Sequence, residues 1–104
     1  MARGIMLVES KAASPDELDA FNAWYDQVHI PEILAVDGFV SARRFLAADR
    51  VTYFAVYEVD DIDNAEANLA AARAAGHMTA PVGLQLDPPP TRHYLPEIGA
   101  FTAC

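Results

Sequence analysis

His29 closes a run whose residue types suit proton transfer: Trp24-Tyr25-Asp26-Gln27-Val28-His29-Ile30-Pro31-Glu32. An imidazole with an ordinary pKa of about 6.5 exchanges protons near neutral pH, and Tyr25, four residues earlier, can orient it or donate a hydrogen bond. Asn22, Tyr25 and His29 recur at helical spacing, so all three are expected on one helix face. Pro31 has no amide hydrogen and disfavours helical geometry at Ile30, so the helix is predicted to end or kink there. That break would leave carbonyls free and open space for a ligand. A plainer role fits the same residues: a helix-end histidine bonded to a backbone carbonyl or favoured by the helix dipole.

Trp24, Tyr25, Tyr53, Tyr57 and Tyr94 are candidates to line a flat pocket, although aromatic residues also dominate cores and dimer seams. Arg43 and Arg44 must point to opposite faces of a strand. The inward one either pairs with Glu9 or Glu58 on a neighbouring strand or anchors an oxyanion of the substrate. His77 and His93 lie far from His29 in sequence, with none of the short pairings of zinc sites, and no haem-attachment motif accompanies His77. No metal and no cofactor are expected. Cys104, the single cysteine, has no adjacent histidine and is treated as incidental.

The elements that must position these residues follow from patterning. Ile5-Met6-Leu7-Val8 suits a buried first strand, and Ser14-Pro15-Asp16-Glu17 carries a capping box with proline at the first helical position. Leu18, Phe21, Tyr25 and Val28 continue at helical spacing, with one further turn at Pro31–Leu34. Phe39–Leu46 and Val51–Val59 read as strands joined by a short connector, Asn64–Ala75 as an alanine-rich helix stopped by Gly76, and His77–Pro90 as loop. Thr91–Phe101 supplies a last strand, which Pro96 marks as an edge. The order β-α-β-β-α-β is the ferredoxin-like arrangement, an α+β fold with an antiparallel sheet. Tyr53, Ala55, Tyr57 and Val59 alternate with Phe54 and Val56, so both sheet faces are apolar and the helix-free face needs a cover. A second copy packed face to face, a homodimer, is the expected cover.

Bulk properties bound the function. A chain of 104 residues is one small domain, residues 1–104, and its 53% hydrophobic content with a mean hydropathy of +0.09 is high for an isolated one. Seven basic against 15 acidic residues give a net charge of −8, which argues against nucleic acid and anionic membranes. Neither a signal peptide nor a membrane span is evident, and the lone cysteine suits a reducing compartment, so a cytoplasmic location is expected.

Three motifs together, Trp24-Tyr25-x-x-x-His29-Ile30-Pro31-Glu32, Gly38-Phe39-x-Ser41-Ala42-x-Arg44-Phe45 and Tyr53-Phe54-Ala55-Val56-Tyr57-Glu58, resemble the dimeric α/β-barrel superfamily, with the EthD-like small bacterial proteins nearest in look. The resemblance implies a pocket between helices and sheet and a histidine on the first helix as acid or base. It is fold-level analogy and does not fix chemistry. Together, residues and resemblance suggest a cofactor-independent isomerase, cyclase or lyase acting by proton transfer on an aromatic, lactone or polyketide-like substrate. His29 and Tyr25 would be catalytic, with Trp24, Tyr53, Tyr57 and Arg44 binding substrate. The alternatives are a ligand-binding or accessory homodimer without turnover, and a cofactor-free or haem-associated monooxygenase.

Overall fold

The computed structural model describes residues 2–103; Met1 and Cys104 lie outside the described residues. The chain runs β1 (Gly4–Ser10), a 3-10 turn (Pro15–Glu17), α1 (Leu18–Trp24), a π-helical turn (Tyr25–His29), α2 (Ile30–Leu34), β2 (Phe39–Leu46), β3 (Tyr53–Val59), α3 (Ile62–Ala74) and β4 (Thr91–Pro96). The four strands form one antiparallel sheet in the order β2-β3-β1-β4. This is the ferredoxin-like α+β fold expected from the element order. Among the described residues no helix is long and apolar enough to cross a membrane.

Strand alternation builds the core. Met6 and Val8 of β1 and Ala55, Tyr57 and Val59 of β3 are buried beneath Phe21 and Trp24 of α1, Ile33 of α2, and Ala65 and Leu69 of α3. Phe39 joins them from β2, where the register shifts between Phe39 and Ser41. That irregularity returns Ala42 and Arg44 to the helix-covered side, opposite Tyr57 and Ala55. The other face carries Ile5, Leu7, Phe54 and Val56, only partly covered, with Val40, Phe45 and Leu95 exposed. A sheet face turned to water is ordinarily polar in such folds; this one carries these apolar side chains among Glu9, Glu58, Arg43 and His93.

Several local expectations are revised. The Ser14 hydroxyl donates to the Glu17 carboxylate at 3.3 Å and caps no backbone amide, so the first turn tightens into 3-10 geometry. The last helix starts at Ile62, before the expected Asn64, because extended Asp61 accepts from the Asp63 amide at 3.1 Å and serves as its N-cap. The last strand stops at Pro96, where proline ends its pairing with β1, and does not reach Phe101. The segment Pro31–Leu34 does not follow a break: helix persists from Leu18 to Leu34, widened rather than ended.

Two glycines are fixed by backbone geometry near the site. Gly76 has φ +77° and closes α3, with its amide donating to Arg73 O and the His77 amide to Ala72 O, the paired bonds of a Schellman cap. Gly38 has φ +103° and lies against the backbone of Ala65, where a β-carbon would come within 3.2 Å of Cα. Gly38→Ala is therefore expected to lower unfolding free energy in urea by about 1–3 kcal/mol, from left-handed strain plus displaced α3. A midpoint unchanged from wild type would contradict this account of how α3 seats on the sheet.

Candidate active site between helices and sheet

Pro31 shapes the site. Its ring cannot donate to a preceding carbonyl and crowds the residue four before it, so the preceding turn opens to π geometry, with the Ile30 amide donating to Tyr25 O five residues back. Residues five apart sit about 140° apart around a regular α-helix. In the widened turn they stack: the Trp24 and His29 rings lie 4.6 Å apart with planes 22° from parallel. Tyr25 meets His29 edge-on at 5.0 Å. Asn22 is the correction to the shared face read from 3.6-residue spacing, because it points to Arg44 while Trp24 takes the place beside His29.

These three side chains line a cavity of about 300 Å³ between the π turn, β1, α3 and β4. Its outer wall comes from the loop after α3, through Met78, Thr79, Leu84, Pro89 and Pro90. That loop is tied down at several points. Glu32, one turn beyond His29, accepts from the Thr79 amide at 2.9 Å and from its hydroxyl, bonds that hold the carboxyl below the usual glutamate range. The Gln85 amide donates to Lys11 O and the Ala13 amide to Gly83 O, pinning the loop along the chain that follows β1.

Among the described residues four polar atoms are buried without a hydrogen-bond partner: Trp24 Nε1, Tyr25 Oη and His29 Nδ1 on residues of the cavity wall, and Tyr57 Oη behind Tyr25. The Tyr25 hydroxyl neighbours those of Tyr57 and Ser10, but none of these approaches makes a well-formed bond. Burial pushes the Tyr25 phenol up, against the lowering pull of Tyr57, Arg44, Ser10 and Arg92. Burial likewise raises Tyr57, reinforced by the adjacent Tyr25. Both phenols therefore stay protonated and able to donate at neutral pH.

His29 is lowered to about 4, first by burial, then by the Arg73 cation, with Arg92 adding and Glu32 opposing. The imidazole is thus neutral at physiological pH, in the form that accepts a proton.

The remaining predicted site residues lie elsewhere. Arg44 is the inward arginine of β2, but its partners are on α1 and the π turn: Nη1 donates to Asp26 Oδ1 at 2.8 Å and Nη2 to Asn22 Oδ1 at 2.9 Å. Its guanidinium lies 4.5 Å from the Tyr25 ring centre and 5.3 Å from that of Tyr53. The expected partners Glu9 and Glu58 project from the opposite face of the sheet, where Glu58 accepts from Ser41 at 3.1 Å. Tyr53 packs edge-on to Phe21 at 5.4 Å and is not on the cavity wall. Tyr57 is fully buried behind Tyr25. Arg73 and Arg92 line the cavity and were not singled out from the sequence. The signal for Arg92 was present: it alternates with His93 on the last strand, opposite the buried Val8. Among the described residues no cluster of three or more His, Cys, Asp or Glu side chains could hold a metal.

Fold and cavity define a ferredoxin-like α+β protein with a pocket between helices and sheet. No protein-family model matches the sequence, and no curated protein matches it significantly. The structure is similar to that of a monooxygenase from the gene ActVA-Orf6 of Streptomyces coelicolor, solved in complex with the ligand nanaomycin D. The TM-score is 0.67 at 16% identity, over 99% of this chain and 93% of that one. At this identity the likeness establishes the shared fold.

The lowered His29 has a consequence for stability. Between pH 6.5 and about 4 the unfolded chain takes up a proton at His29 that the folded protein refuses, so folding stability falls as pH drops through this window. Relative to His29→Phe, the wild type is expected to lose about 3 kcal/mol between pH 7 and 4 in paired urea titrations. Parallel pH profiles for the two proteins would contradict a buried neutral imidazole.

Proposed function

We propose that this protein is a cofactor-independent small-molecule enzyme that moves a proton at His29 on a planar, oxygen-bearing ligand held in the helix–sheet cavity. One observation carries the reading: Trp24 Nε1, Tyr25 Oη and His29 Nδ1, all on residues of the cavity wall, are buried without partners among the described residues. Folded proteins rarely leave buried polar groups unsatisfied, and such groups mark sites that a ligand completes. An indole N–H only donates and the Tyr25 phenol is protonated, so the complementary ligand presents acceptor oxygens. Neutral His29 takes a proton from the acidic C–H or O–H of that ligand. The bonding pair stays behind as an enolate or phenolate delocalised toward the carbonyl that the donors hold. Return of the proton to another carbon is an isomerisation, and expulsion of a leaving group is a lyase or cyclisation step.

A second reading follows from the fold neighbour, which is a monooxygenase. Here the same carbanion bonds to dioxygen as a peroxide at that carbon; loss of the second hydrogen of the same carbon then breaks the O–O bond, leaving a carbonyl and water, so the substrate itself supplies all four electrons. Both readings share the first step at His29 and differ in whether oxygen is consumed. Tyr25 orients and polarises the substrate in either case, Trp24 stacks on it, and Tyr57 supports Tyr25 from behind. Arg44, outside the cavity wall, positions Tyr25 through its ring face, and its guanidinium also lies over the Tyr53 ring. The EthD-like affiliation belongs to the same proposal and rests on the Trp24–Glu32 motif.

The working unit is proposed to be a homodimer. Val40, Phe45 and Leu95 are 60%, 47% and 41% exposed on the helix-free face, and the molecule is a slab measuring 41 × 41 × 23 Å. A second slab laid on that face buries the apolar set of both copies at once.

The decisive assay combines product detection by mass spectrometry with oxygen uptake across hydroxynaphthoquinols, lactones and polyketide-like ketones. His29→Gln is expected to lower kcat by about 100-fold or more while leaving the dissociation constant nearly unchanged. Full turnover in that variant would end the mechanism, and oxygen uptake coupled to product decides between the two readings. Sedimentation should show a dimer at micromolar concentration that Val56→Glu converts to monomer; a monomeric wild type would remove the dimer.

A further inference from the structure

Arg73 and Arg92 are the only charged side chains on the cavity wall besides the neutral His29; no carboxylate lines it among the described residues. This is unusual for a chain with 15 acidic and 7 basic residues. Arg44, by contrast, is ion-paired with Asp26 at 2.8 Å and lies outside the cavity wall. Arg73 and Arg92 have neither an ion pair nor a side-chain hydrogen bond among the described residues. They also face each other as like charges, and this repulsion adds to burial in lowering Arg73.

The fold holds them there on two rigid elements. Arg73 sits in the last turn of α3, whose end is fixed by the Schellman bonds at Gly76 and His77. Arg92 is paired opposite Val8 in β4, and so projects to the helix-covered side. Between them and the stacked Trp24–His29 pair the wall is apolar, formed by Met6, Leu84, Pro89 and Pro90.

We propose that Arg73 and Arg92 form an anion-binding pair and that the cavity takes a planar aromatic acid, its ionised group between the two guanidiniums and its rings against Trp24 and His29. Guanidinium forks match the geometry of a carboxylate or an ionised enol and bind it through charge-assisted hydrogen bonds. A single ionised group would offset the like-charge repulsion of the pair and occupy the one cationic spot in a strongly acidic molecule. It would also stand near His29, where its charge counteracts the part of the depression that Arg73 and Arg92 impose, while the larger part due to burial remains. The other groups facing His29 are Tyr25, protonated, and Glu32, already bonded to Thr79. The cavity volume of about 300 Å³ accommodates two fused rings with one acidic substituent.

This inference rests on the proposed function only in sharing its cavity, since binding is read without turnover. Three probes of nearly equal shape separate the possibilities in calorimetric titrations at pH 7.5: 2-naphthoate, the ionised enol 2-hydroxy-1,4-naphthoquinone, and neutral 2-naphthamide. At least one anion should bind about tenfold or more tightly than the amide, the value of one charge-assisted hydrogen bond. Which of the two is tighter identifies a carboxylate or an enolate as the natural anion. The preference should shrink to below about threefold when Arg73→Gln and Arg92→Gln are combined, and added salt should weaken the anion but not the amide in the wild type. Both arginines keep solvent contact, so the double variant should fold, as far-UV circular dichroism would verify. Equal affinity for acid and amide, no binding of either anion at millimolar concentration, or a preference that survives loss of both arginines would overturn the assignment. Each of those results leaves proton transfer at His29 standing, and full turnover in His29→Gln, which would end that mechanism, leaves the anion pair standing.

Discussion

Pro31 lacks an amide hydrogen, and the turn preceding it adjusts to that absence. A proline inside an α-helix normally costs about 3 kcal/mol, because one bond is lost and the ring presses on the carbonyl four residues back. Opening the Tyr25–His29 turn to π geometry accommodates the ring without ending the helix, which resumes through Leu34. The cost is local, and its product is an arrangement of rings that no regular helix supplies. Trp24 and His29 come into stack, Tyr25 turns edge-on between them and the sheet, and Glu32 lands one turn on, where it clamps the outer loop at Thr79. Cavity floor and cavity wall therefore depend on the same proline.

Strand pleat then divides the charges. The irregularity between Phe39 and Ser41 sets the phase of β2, so Arg44 faces the helices and Arg43 faces away. Arg44 closes on Asp26 and Asn22 and lays its guanidinium over Tyr25, fixing the widened turn from the side opposite the cavity. A one-residue change of phase would exchange the two arginines and leave Asp26 without its partner. The pleat of β4 sends Arg92 to the helix side and His93 to the open one, by the same alternation. Strand parity places Arg44 and Arg92 on the helix-covered side, and the last turn of α3 adds Arg73 to the same cavity as Arg92.

Much of this was legible in the chain. The element order, the two-faced sheet and the prominence of Trp24, Tyr25 and His29 all follow from periodicity, turn residues and the proline, which act over a few neighbours. The residues that escaped are those whose place depends on distant pairing. Arg73 looks like one more polar position on an alanine-rich helix until β4 is laid beside it. Arg92 is one of two polar neighbours on an edge strand until its register with β1 is known. Tyr53 and Arg44 have the composition of a binding site, yet they pack on Phe21 and the outer side of Tyr25. The Asn22 expectation failed for a different reason: it assumed 3.6 residues per turn through a stretch that the proline forces wider.

The electrostatics give the site an internal logic. An imidazole held near pH 4 is a weak base. Against a phenol-like acid of ordinary pKa about 10, transfer of the proton is uphill by six units, about 8 kcal/mol, before any help from the surroundings. Such a base is useful only if the site stabilises the anion it creates or already holds an anion beside it. Under the proposed mechanism, Trp24 and Tyr25 would supply neutral donors to the developing oxygen charge. The two arginines would supply charge. Burial is the first cause that keeps His29 neutral, and the arginines add to it. An ionised ligand between them would cancel their share of the depression and leave the share due to burial, so ligand binding and the proton affinity of His29 would be coupled through the arginines alone.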